Sequence, residues 1–171
     1  MRMLKLLVLC ILAIPSAQGM AQDCIDTISA TFAVQHYHIN SNGTVSDKKN
    51  QLMWMQCSEG QQWSNGQCLG TAQAMTWDKA QQEANHSRFA KYSNWRLPTI
   101  HELSGIIELR CQQPAINLQF FPGTPSLDFW TATSFINNND LAWRVHFGFG
   151  ENHTEKKSTS AAVRLVRSIN Q

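Results

Sequence analysis

Once an apolar leader is set aside, four cysteines remain in this chain: Cys24, Cys57, Cys68 and Cys111. An even number of thiols in an exported chain folds as a disulfide framework, and four thiols allow three connectivities. The leader itself carries the compartment signal. Arg2 and Lys5 precede the apolar run Leu6–Ile14, Pro15 breaks it, and small residues follow at Ala17, Gly19 and Ala21. This is the layout of a secretory signal peptide over residues 1–21, with cleavage expected after Ala17, Gly19 or Ala21. The run falls well short of the roughly 20 apolar residues that a membrane span needs. Cys57 and Cys68 flank a polar segment that contains Asn65-Gly66, a strong turn signal. That favours a local Cys57–Cys68 bridge and leaves Cys24–Cys111 by elimination. Chain-entropy reasoning gives about 3 kcal/mol for the short loop and about 4.5 for the long one. A zinc site is the rival use of four thiolates, but no closely spaced Cys pair is present.

The pattern along the rest of the chain is mixed. Ala30–Ile39 alternates and reads as a strand, Asn40–Thr44 as a turn, and Leu52–Met55 as a short buried strand. Ala74–Ala90 reads as a helix with Thr76 as N-cap and Trp77, Ala80 and Ala84 on one face. Trp95–Pro98 is extended, because a residue before proline is steered away from the α region. Thr99-Ile-His-Glu102 has capping-box spacing and opens a second helix that runs to Arg110, with Leu103, Ile106 and Ile107 as its apolar face. Beyond Cys111, an irregular stretch over Pro114–Pro125 precedes strands at Phe129–Phe135 and Leu141–Phe149, with the polar turn Asn137–Asp140 between them. Gly150–Ser160 reads as a polar loop, and Ala161–Ile169 as a last strand that pairs with Leu141–Phe149. Strand, helix, helix and then strands imply an α+β domain over residues 24–171, two helices packed beside an antiparallel sheet and stapled by disulfides.

Composition excludes several classes of function. Without Arg2 and Lys5, the 14 basic residues become 12, against 12 acidic ones, so a nucleic-acid binder is not expected. Six Trp and eight Phe are incompatible with a disordered tail. The chain has no Gly-rich phosphate loop, no G-x-S-x-G and no H-E-x-x-H. With every cysteine of the mature chain committed to a bridge, none is left as a nucleophile. His36 and His38 share a strand face but have no third metal ligand nearby in sequence. Asn137–Asp140 has oxygen ligands suited to calcium, yet a solvated turn is the better reading. A non-enzymatic protein with no cofactor and no metal is the expectation.

The ordered series Gly43-Thr-Val-Ser-Asp47, Leu52-Met-Trp54, Cys57…Gly60…Trp63…Cys68…Gly70, Trp77…Ala80, Trp95-Arg-Leu-Pro-Thr99, Glu102-Leu103, Ile116-Asn117, Phe121-Pro122, Phe129-Trp130, Ala142-Trp143 and Val163-Arg-Leu-Val-Arg167 resembles the DUF1566 family. That family also describes the C-terminal domain of the Legionella collagen-like adhesin. The resemblance spans about Gly43 to Arg167. It implies a C-type lectin-like fold, similar to the formylglycine-generating enzyme fold and to the variable proteins of diversity-generating retroelements. It also implies an exported binding module, adhesin-like, that recognises a glycan or an envelope or host-surface component in the periplasm or at the cell surface, with oligomers possible. A structural or accessory domain of an envelope complex is the alternative, and formylglycine-type catalysis, which needs a free cysteine, a weaker one.

Candidate binding residues follow from spacing. Arg144 and His146 share a strand face by period two, opposite the face of Leu141, Trp143, Val145, Phe147 and Phe149. The loop after Gly150 brings His153, Lys156 and Lys157 to the end of that strand, and Arg164 and Arg167 add to a locally basic region. Arg144, His146, His153, Lys156 and Lys157 are therefore the expected ligand-binding set, suited to an anionic glycan or acidic partner. A solvated hairpin loop is the alternative for this region. Trp130 and Trp143 are read as core, and Arg96 as a partly buried side chain that fixes the approach to the second helix.

Overall fold

A computed structural model describes residues 22–170. The expected leader, with its cleavage sites at Ala17, Gly19 and Ala21, lies outside the described residues. In chain order the strands are β1 (Asp23–Cys24), β2 (Tyr37–Ile39), β3 (Thr44–Asp47), β4 (Leu52–Met55), β5 (Gln62–Ser64), β6 (Gln67–Leu69), β7 (Cys111–Gln112), β8 (Asp128–Phe135), β9 (Asn138–His146), β10 (Glu151–Lys156) and β11 (Val166–Ser168). The α-helices are α1 (Trp77–His86) and α2 (Ile100–Ser104). The strands form a four-stranded sheet in the order β11-β4-β3-β2, a three-stranded sheet β10-β9-β8, and the ribbons β1-β7 and β5-β6. The result is α+β with antiparallel sheets and two disulfides.

Both bridges pair as expected. Cys57–Cys68 spans the hairpin β5-β6, whose turn residues Asn65 and Gly66 both take positive φ, 47° and 80°. Cys24 lies opposite Cys111 in the β1-β7 ribbon, and the bridge ties the N-terminal segment to the middle of the chain. Disulfides persist in oxidising compartments, which favours an exported protein. Among the described residues, no helix is long and apolar enough to cross a membrane.

The core has two halves, and strand periodicity builds both. In β4, Leu52 and Trp54 enter one cluster, with Val45, Leu103, Ile106, Phe121, Phe129 and Val145. Met53 and Met55 enter the other, with Ala80, Ala84, Trp95, Leu97 and Trp130. A strand buried on both faces reads as the unbroken apolar run seen here.

Several expected elements differ. Residues 30–36 are loop and one 3-10 turn rather than strand. The Glu108 carboxylate captures this segment by accepting from the Thr31 and Phe32 N–H groups at 2.9 and 3.3 Å. Helix α1 stops at His86 because Ser87 is extended (ψ 137°) and Ala90 takes φ 51°. Helix α2 ends at Ser104; Ile106 and Ile107 remain buried, but in a turn that brings Ile107 to bridge Ile116. The polar stretch after Gly150 is strand β10, paired along β9 from Glu151 opposite His146 to Lys156 opposite Leu141. The last strand does not pair with β9. Val166–Ser168 pairs with β4, and Ala162 bridges Phe129 in parallel. Residues 161–167 are buried throughout because they run between the two larger sheets and serve both.

The capping box at α2 is present in full: Thr99 Oγ1 accepts from Glu102 N–H, and the Glu102 carboxylate accepts from Thr99 N–H at 2.7 Å. Arg96 completes it with two 2.7 Å bonds to the same carboxylate and one to Leu97 O. Burial pushes the Glu102 carboxyl up, but Arg96 and Thr99 outweigh it and hold it below the usual range. Glu108 is likewise pushed up by burial and held low by the N–H groups of Thr31, Arg110 and Phe32. Both carboxylates therefore stabilise the fold above their unfolded pKa of about 4.3, and that contribution is lost as pH falls through the lower folded values. Thr99→Ala should cost about 1 kcal/mol in urea denaturation. Glu108→Gln should cost about 2 kcal/mol at pH 7 and distinctly less at pH 3; an equal cost at both pH values would contradict the assigned role.

Candidate functional site

The five residues expected to bind a ligand fall into two places. Arg144, His146 and His153 lie on one face of the β10-β9-β8 sheet: His153 is opposite Arg144, which is opposite Trp130, and His146 is opposite both Glu151 and Asp128. Lys156 and Lys157 lie at the far end of β10.

Arg144 is not available to a ligand. It is 4% exposed, and its guanidinium lies 3.7 Å over the Trp130 ring. One nitrogen donates to Thr159 Oγ1 at 2.5 Å and another sits 3.8 Å from Asp128. Burial draws its pKa below the usual guanidinium range, with Asp128 and Glu155 pulling the other way. This is a cross-strand clamp: Arg144 from β9 stacks on Trp130 from β8, and His153, opposite Arg144 on β10, sets its Nε2 3.4 Å from Asp128 of β8. His153 is its exposed end, with 43% of its side chain accessible. His146 stacks on Phe149 at 5.8 Å, and its Nδ1 accepts from Gly148 N–H at 3.1 Å.

The basic region expected from Arg164 and Arg167 does not form either. Arg164 is fully buried. Its guanidinium donates to the carbonyls of Met55 and Gln56 and to Thr124 Oγ1, and lies 4.9 Å over Phe121. Burial lowers its pKa to about 9, so it stays charged at neutral pH. Arg167 is 5% exposed and covers the Tyr92 ring at 4.7 Å. Polar spacing in the sequence cannot distinguish such a residue from a surface cation, because only the tertiary partners decide its burial. Of the two tryptophans read as core, Trp130 is fully buried, while Trp143 is half-buried beside Phe135.

Lys156 and Lys157 do reach an open site. The Lys157 N–H donates to Asp140 O at 2.8 Å, and Lys157 O accepts from Trp77 N–H at 3.1 Å. These two bonds draw the start of β9 and the start of α1 to the end of β10. Between them lies a groove of about 490 Å³ lined by Asp78, Asn138, Asn139, Asp140, Lys156 and Lys157, among others. The Lys157 ammonium stands 4.2 Å over the Trp77 ring. The groove offers two ammonium groups, two carboxylates and two amides, which together donate to anionic groups and accept from hydroxyls. Asn138–Asp140 belongs to strand β9, not to a free turn. Asp78 carried no signal of its own; it is the acidic residue in the first turn of α1. Among the described residues, no group of three or more His, Cys, Asp or Glu side chains is arranged to hold a metal ion.

A family model described as the Lcl C-terminal domain matches residues 43–167. No curated protein matches the chain.

The two groups of residues should separate cleanly in stability measurements. Arg144→Ala should cost about 2–3 kcal/mol through the lost stack and bonds. Lys156→Ala should stay within about 0.5 kcal/mol, and Lys157→Ala should lose about 0.5–1 with its Trp77 contact. Thermal unfolding checks this, and equal stability of all three variants would contradict the clamp assigned to Arg144.

Proposed function

The chain belongs to the Lcl C-terminal domain family, and on that premise we propose that it is an exported, non-enzymatic binding module of adhesin-like character. Its recognition surface is the groove at the end of β10, and its ligand is a glycan bearing sulfate or carboxylate groups, or an acidic component of an envelope or host surface. The observation that carries this reading is the convergence of Lys156 and Lys157 with Asp78, Asn138, Asn139 and Asp140. Ammonium groups bind the anions of such a glycan; carboxylate and amide oxygens accept from its hydroxyls. The lectin-like reading of the fold fits this use, with recognition on the ends of strands and loops held by a rigid scaffold. Each exposed ionic contact contributes only about 0–1 kcal/mol, so single-site binding is weak and salt-sensitive, and several copies in one assembly would supply avidity.

The test is retention on a heparin column and on a glycan array, comparing wild type with Lys156→Ala/Lys157→Ala at two salt concentrations. Wild type should elute later at low salt, and the double variant should lose most of that difference. Identical elution of the two proteins would remove the groove from the binding surface. Capture of one envelope protein with no glycan retention would favour the accessory-domain reading instead.

A further inference from the structure

Away from that groove, a second cavity holds a carboxylate with nothing to neutralise it. It measures about 280 Å³ and is lined by Met55, Cys57, Glu59, Gln61, Ser87 and Phe89, together with Ser58. Its other polar groups are largely occupied. Gln61 accepts from Ser58 N–H at 3.0 Å and donates to Gly123 O at 2.9 Å. Ser58 Oγ accepts from one terminal nitrogen of Arg164, and the terminal nitrogens otherwise donate to backbone carbonyls and Thr124, while Nε is buried and makes no hydrogen bond among the described residues. Lys79 on α1 is engaged by Glu83 at 2.6 Å. Among the described residues no donor reaches the Glu59 carboxylate. Burial, and after it the charge of Glu83, pushes its pKa up; a cation placed beside it would recover that cost.

Part of the wall of the same cavity is aromatic and held firmly. Phe89 stands edge-on to Trp95 at 6.3 Å. The residues that follow it, Ala90 and Lys91, both take left-handed φ, 51° and 66°, a conformation that costs a side-chain-bearing residue energy and is kept where the surroundings impose it. Ser87 Oγ accepts one bond, from Phe89 N–H at 3.4 Å, and keeps a lone pair for another donor. An unneutralised carboxylate, an aromatic face and a hydroxyl are the complement of a small organic cation. The volume lies just below the roughly 300–1,000 Å³ of drug-sized pockets, so the guest is small.

We propose that this cavity is a second binding site that takes a primary alkylammonium group, with the Glu59 carboxylate as counter-ion, Phe89 as aromatic wall and Ser87 as a further acceptor. The inference does not depend on the glycan reading, since it uses a different cavity and the opposite ligand charge. Two sources present this chemistry: a free amine, or a lysine side chain of another protein.

The experiment is an amide-resolved NMR titration of the disulfide-intact protein with n-butylammonium chloride, with sodium chloride as salt control and n-butanol as uncharged isostere. Saturable shifts at Ser87 and Phe89 are expected with butylammonium and not with butanol. Glu59→Gln should weaken binding at least tenfold, whereas Lys156→Ala/Lys157→Ala should leave it unchanged. If Glu59→Gln fails to fold, Phe89→Leu takes its place and should weaken binding several-fold. Titration with N-acetyl-lysine methylamide separates the sources: equal or tighter binding assigns the site to a lysine side chain, and weaker binding to a free amine. Absence of saturable shifts, an equal response to butanol, or unchanged affinity in the variant at residue 59 or 89 would overturn the proposal.

Discussion

The Arg164 guanidinium sits where charge is most costly, sealed in the interior with no carboxylate ion-paired to it among the described residues. Its desolvation is offset by carbonyls at the end of β4, by Thr124 and by the faces of Phe121 and Phe129. These partners come from three separate parts of the chain, and a single planar group fixes their relative positions. Arg164 also sits in the buried segment 161–167, which bridges β8 through Ala162 and pairs with β4 through Val166. The two larger sheets therefore meet around one charge. Lysine could not replace it: a point charge on a flexible stem lacks the planar fork that serves several acceptors at once.

What the sequence revealed was what short-range chemistry decides. The Cys57–Cys68 bridge was legible because Asn65-Gly66 turns the chain between the two thiols, and Cys24–Cys111 then followed. The α2 start was legible because Thr99 and Glu102 satisfy each other across three residues. The ends of both helices were not, since the end of α1 depends on the extended Ser87 and the left-handed Ala90, and the end of α2 on a turn that docks Ile107 on Ile116. Residues 30–36 alternate like a strand, yet a carboxylate more than seventy positions away claims the N–H groups of Thr31 and Phe32. Strand β10 looked like a loop because an edge strand needs apolar side chains on neither face to make its hydrogen bonds.

The candidate binding residues divided along the same line. Lys156 and Lys157 were identified by composition and position, and they reach a groove. Arg144 was identified by period two and has the right face, but that face is covered at its position, and the residue clamps three strands instead. The clamp still bears on the groove, because it holds β9, whose start carries Asn138–Asp140, beside β10, which ends at Lys156. A charge expected to contact a ligand thus acts by positioning the strands that line the groove.

The three-stranded sheet ends on β10, which pairs with β9 on one side and, among the described residues, with no other strand. Its residues Glu151, Glu155 and Lys156 carry charge along that open edge. Unpaired backbone groups on such an edge are a template for another chain, and charged side chains are a usual protection against it. With like charges brought together at Glu151 and Glu155, two copies of this edge repel rather than pair, so the sheet stops at three strands and the chain stays a separate folded unit.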